Sequence, residues 1–147
     1  MKFKLVICEE EEEQVVAMVH KPSALTQKIE QLVLQYAGND KLAVSNEDEL
    51  LMLPYANIEC ITVLDGKTYA IDTAGKHYRV KQRLYELEKD VPSTFLRINK
   101  STLANETHLD CFTSTYSGAV NARFKCGYED YVSRRCFAAI KRRFQVK

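Results

Sequence analysis

From Phe95 to Asn105 the chain alternates, with Phe95, Arg97, Asn99 and Ser101 on one side and Leu96 and Ile98 on the other, until Lys100 breaks the apolar side. A strand sends successive side chains to opposite faces, so this stretch predicts a strand with one dry face and one polar face, ending in a turn near Lys100. The polar set of Arg97, Asn99, Lys100 and Ser101 is rich in donors, and no carboxylate follows before Glu106. A donor-rich edge suits a partner made of acceptors, such as phosphate oxygens and base edges. A solvated strand face with a short basic cluster is the plainer reading, and the pattern alone leaves both open.

The same patterning divides the rest of the chain. Lys2 to Cys8 alternates, with Phe3, Leu5 and Ile7 on one face, and predicts a strand. Glu9 to Glu13 reads as a turn, and Gln14 to His20 as a second strand pairing back as a hairpin; a helix starting in the glutamate run is the rival. Pro22 and Ser23 open a helix whose apolar residues Leu25, Ile29, Leu32, Val33 and Tyr36 recur at a helical period, and Gly38 stops it. Short strands follow at 42–45, 49–53, 58–64, 68–72 and 77–80, with Asp65-Gly66 and 74–76 as turns. A short helix around Leu84 and Leu87 ends before Pro92. Strands at 109–114, 119–125 and 130–132 precede a last helix, 134–144, with Phe137, Ile140 and Phe144 on one face. Closely spaced short strands predict a mostly β domain over 42–147, preceded by a β-β-α appendage over 1–41.

Composition narrows the function classes. The chain has 147 residues, enough for one domain with a small appendage. It holds no run of 18 apolar residues, and the apolar start is cut off by the glutamates, so neither a membrane span nor a signal peptide is expected and a cytoplasmic location is. Five scattered cysteines without a Cys-x-x-Cys pair argue against a disulfide framework or a zinc site. The three histidines are far apart, at no ligand spacing. No metal and no cofactor is expected, and no nucleophile-base set or glycine-rich phosphate loop suggests an enzyme or a small-molecule substrate. The net charge of +1 is uninformative, but its distribution is not. Residues 1–40 carry four Lys/Arg against seven Asp/Glu, while residues 120–147 carry eight against two. That asymmetry points the C-terminal end toward a polyanion.

In order and spacing, the pieces from residue 42 onward resemble the LytTR DNA-binding domain of bacterial transcription regulators. The resemblance is carried by Ile58 to Ile61, Tyr78 to Val80, Leu84 to Glu88, the stretch from Phe95 to Asn105, and Val132 to Arg135. Phe95, Arg97, Ser101 and Asn105 match the family's central pattern, whereas Asn99 stands for its usual histidine and Lys100 for its usual arginine. The resemblance implies an elongated fold of three small antiparallel sheets whose strand-end loops enter successive major grooves. It also implies that the loops concerned are Asp65 to Thr68, Asn99 to Ser101, and Ser133 to Arg135. A compact chain without a receiver domain resembles the stand-alone regulators of the family, some of which are restrained by a small membrane protein.

Candidate roles follow from side-chain chemistry. Arg135 can fork onto guanine, Lys100 can donate to a base edge as a point charge, and Asn99 can read adenine or hold its turn. Lys67 and Thr68 are further base candidates, although an Asp-Gly-Lys turn is first of all a hairpin turn. Arg97, Ser101, Ser133, Arg134 and Lys141 suit phosphates, with internal bracing as the alternative for Arg97. Asn105 is better explained as a turn residue. The leading function is therefore a sequence-specific binder of double-stranded DNA that regulates transcription. The alternative is a protein-interaction module acting through the N-terminal helix face, by homodimerisation or by docking to a membrane-bound inhibitor.

Overall fold

The computed structural model describes residues 1–144, which fall into two units, Met1–Asn39 and the chain from Asp40 onward. The regular element of the first unit is helix α1 (Ala24–Ala37). Its start follows the predicted chemistry: Thr26 Oγ1 accepts from the Ser23 N–H at 2.9 Å and donates to the Ser23 carbonyl at 2.8 Å. Gly38, at φ 74°, ends it, and the N–H groups of Gly38 and Asn39 return to carbonyls of the last turn.

The hairpin expected before α1 does not form. Residues 2–8 and 14–20 are not strands, and among the described residues none of 1–22 makes a hydrogen bond. The connector explains this. A tight reversal would crowd Glu9 to Glu13 together, and like charges a few ångströms apart oppose closure. The β-β part of the appendage is thus corrected to two open segments.

Among the described residues the second unit carries ten strands and two α-helices. A seven-stranded antiparallel sheet runs in the order β2 (Glu49–Pro54), β1 (Lys41–Asn46), β5 (His77–Val80), β4 (Lys67–Asp72), β3 (Ile58–Leu64), β7 (Thr102–Asn105), β6 (Phe95–Asn99). A three-stranded sheet runs β10 (Glu129–Val132), β9 (Val120–Phe124), β8 (Leu109–Ser114). Helix α2 (Leu84–Leu87) follows β5, and α3 (Arg134–Arg143) follows β10. Two hydrogen-bonded sheets stand where three were expected, because the β1–β2 hairpin joins the larger sheet through the single pair Ser45–Arg79. The β3–β4 turn has Asp65 at φ 52° and Gly66 at φ 74°, the two positive values that a tight hairpin turn of matching twist requires.

Two buried clusters fill the unit. One gathers Val44, Ile58, Ile61, Leu87, Phe95 and Leu103, and the other Cys60, Ile71, Ile98, Phe124, Val132 and Ile140. The second cluster seats α3 by Ile140, its one buried residue. All five cysteines are free, and burial pushes the Cys60 thiol well above its ordinary range, which leaves it protonated and inert.

A polar clamp ties β3 to the smaller sheet. Buried Glu59 accepts from the Cys126 N–H at 2.7 Å, and its other oxygen lies 2.6 Å from His108 Nδ1. His108 Nε2 donates to the Ala56 carbonyl at 2.6 Å. Cutting this link leaves a buried carboxylate short of a partner. His108→Ala is expected to cost about 1–2 kcal/mol in urea unfolding, since water reaches the vacated site only partly. An unchanged midpoint would mean that the clamp does not contribute.

Candidate nucleic-acid interface

The larger sheet and the segment entering α3 bring the three candidate loops to one end of the unit. Thr62 on β3 pairs with Thr102 on β7, so the turn 65–66 and the turn 100–101 leave the sheet at the same end. The Val63 N–H donates to the Ser101 carbonyl at 2.9 Å and joins these two turns. The third loop is held by three bonds, the last of them backed by a fourth within the larger sheet. The Ser133 N–H donates to the Ile98 carbonyl at 2.9 Å, and Asn99 Nδ2 donates to the Tyr131 carbonyl at 2.7 Å. Thr102 Oγ1 lies 2.6 Å from Asp130 Oδ2 and 2.7 Å from Thr62 Oγ1.

Two base candidates are corrected. Asn99 is only 1% exposed, and both ends of its amide are engaged: Nδ2 on Tyr131, and Oδ1 accepting from the Ser101 N–H at 2.8 Å. The reason is a bulge. Arg97 pairs with Leu103 and Asn99 with Thr102, so Ile98 is an extra residue and the alternation changes phase behind it. Thr68 is likewise buried, because β4 begins at Lys67 and Thr68 already pairs with Val63 and Val80 inside the sheet. Arg97 takes the bracing role: its Nη1 donates to the Lys100 carbonyl at 2.7 Å and its Nη2 pairs with Glu88. Asn105 is a structural residue, donating to the Tyr55 and Ile58 carbonyls and accepting from the Thr107 N–H.

Four exposed cations remain around the three loops. The side chains of Lys67, Lys100, Arg134 and Arg135 have no hydrogen-bond or ion-pair partner among the described residues. Other cations are committed, Arg143 on α3 to Glu106 at 2.8 Å, and Arg123, at the far end of β9, to Asp110 at 3.0 Å. Ser133 caps α3, its hydroxyl accepting from the Cys136 N–H at 3.2 Å, which leaves the hydroxyl hydrogen for an outside acceptor. Two arginines at the positive end of a helix oppose its dipole, whereas an anion there would be favoured. The sides of α3 differ. Arg135 lines a groove with Lys100, Arg97 and Ser133, while Arg134 lines another with Lys141 and Arg142. The Lys141 ammonium sits 4.6 Å from the Phe137 ring centre. Sequence reasoning missed Asp130 and Tyr131 as the supports of the third loop, and no local pattern marks contacts about thirty residues apart.

The unit is a mostly β domain of antiparallel sheets, with exposed cations at its strand ends and at the start of α3. The family model of the LytTr DNA-binding domain matches residues 48–145, and the chain belongs to that family. An uncharacterized HTH-type transcriptional regulator of Staphylococcus aureus strain NCTC 8325 is 27% identical over 149 residues, covering 99% of each chain. A counterpart so described in strain MRSA252 is equally similar. The LytTr DNA-binding domain of a Bacillus cereus protein superposes with a TM-score of 0.65 at 18% identity, covering 71% of this chain and 96% of that one, and so shares the fold. In this chain α2 and α3 are separated by five strands and β10 runs directly into α3, so among the described residues the second unit holds no helix-turn-helix. No helix among the described residues is long and apolar enough to cross a membrane.

Proposed function

We propose that this protein is a sequence-specific double-stranded DNA-binding transcriptional regulator that presents strand-end loops to successive major grooves. One observation carries the reading: three loops meet at one end of the sheet, with Lys67, Lys100, Arg134 and Arg135 left unpaired around them. Arg135 and Lys100 share one groove and are the base-reading pair, with Lys67 at the neighbouring turn. Arg134, Ser101, Ser133 and Lys141 hold phosphates and fix register. Membership of a DNA-binding family and the regulators it resembles support the same reading.

The test is a selection of bound duplexes from random sequence at near-physiological salt, followed by a salt titration. A defined motif is expected. Arg134→Ala should weaken selected and unrelated duplexes alike and lower the salt slope by about one, the signature of a lost phosphate contact. Recovery of random sequence, or a slope that no loop substitution alters, would overturn the proposal.

A further inference from the structure

The two open segments of the first unit raise a question that DNA binding does not answer. Phe3, Leu5 and Ile7 are 91%, 74% and 86% exposed, yet they alternate as one apolar strand face. The backbone beside them makes no hydrogen bond among the described residues. A segment with apolar residues at strand period and an unpaired backbone is a template for a strand of another chain.

We propose that residues 2–8 pair antiparallel with the same residues of a second copy, about a two-fold axis at Leu5. In that register Phe3 faces Ile7 of the partner subunit and Leu5 faces its own equivalent, so the apolar face matches itself. Lys2 lies diagonal to Glu10 of the partner subunit on the other face, a pairing of opposite charges made twice. The two glutamate runs then leave from opposite ends of the ladder, about 27 Å apart at roughly 3.4 Å per residue, well beyond the ~8 Å screening length. Pairing of 2–8 with 14–20, within one chain or exchanged between two, brings glutamates together instead. The register therefore follows from the charge pattern as well as from the apolar one, and it is independent of the DNA-binding proposal.

Sedimentation of the full chain without DNA should show a dimer. Leu5→Asp, which sets two carboxylates opposite each other, should weaken the dimer at least tenfold. The segment lies outside both buried clusters, so thermal unfolding of the β unit should be unchanged and serves as the folding check. In a Cys8→Ser background, Leu5→Cys should oxidise to a covalent dimer, because directly opposed strand positions fall within disulfide reach. Phe3→Cys and Ile7→Cys should each fail alone but cross-link when mixed. A monomer in sedimentation overturns the proposal. So does a Leu5→Cys chain that stays uncross-linked, or one that cross-links only to an Ala17→Cys chain.

Discussion

Asn99→Ala is expected to lower the stability of the β unit by about 3 kcal/mol, and to weaken DNA binding by more than the lost stability explains. The side chain is buried and makes two bonds, to the Tyr131 carbonyl at 2.7 Å and from the Ser101 N–H at 2.8 Å. Alanine leaves both backbone groups without a partner where water has little access, at about 1–3 kcal/mol each. The same two bonds join the 100–101 turn to the segment entering α3. Losing them frees Lys100 and Arg135 to move independently, and a two-point contact becomes two weak single contacts. Urea unfolding and duplex titration, with the folded fraction held near one, separate the effects. Wild-type stability would show that the amide is not the tie between these loops. Unchanged DNA affinity in a folded variant would show that the tie has no bearing on recognition.

Arg135→Ala is expected to weaken the selected duplex by roughly ten- to a hundredfold and to flatten base preference at one position, the equivalent of about 1–3 kcal/mol of discrimination. The contrast with Arg134 gives this its force. Both arginines are exposed and adjacent in sequence, yet one lines the groove with Lys100 and the other the groove with Lys141 and Arg142. Arg135→Lys should restore the charge and the salt slope without restoring the preference, because an ammonium lacks the planar fork. If both arginines proved equivalent on selected and random duplexes, α3 would carry phosphate contacts only, and base reading would lie elsewhere.

The particular residues at the site mark how far local pattern reaches. Lys100, Arg134 and Arg135 were legible as exposed cations, at a turn and at a helix start, because turn and cap chemistry is written within a few residues: the capping Ser133, and the alternation that runs out near Lys100. Asn99 and Thr68 were misjudged because burial at a strand end depends on phase. A single extra residue at Ile98 reversed that phase, and β4 began one residue before Thr68. Arg97 matched the family pattern in the sequence, but its engagement with Glu88 comes from packing.

The sequence by itself determined the short strands, the Asp65-Gly66 turn, the extent of α1 and α3 and the mostly β class, since period, turn chemistry and capping are local properties of the chain. It also spelled the likeness to a DNA-binding family. Only the tertiary structure decided which polar side chains face outward and that three loops far apart in sequence share one end of a sheet. It decided as well that the N-terminal segments stay unpaired within the chain. Those outcomes rest on bonds between residues about thirty or more positions apart, and on charge repulsion across a closing turn. The first leaves no trace in any short window of sequence, whereas the second is written in the five consecutive glutamates Glu9 to Glu13.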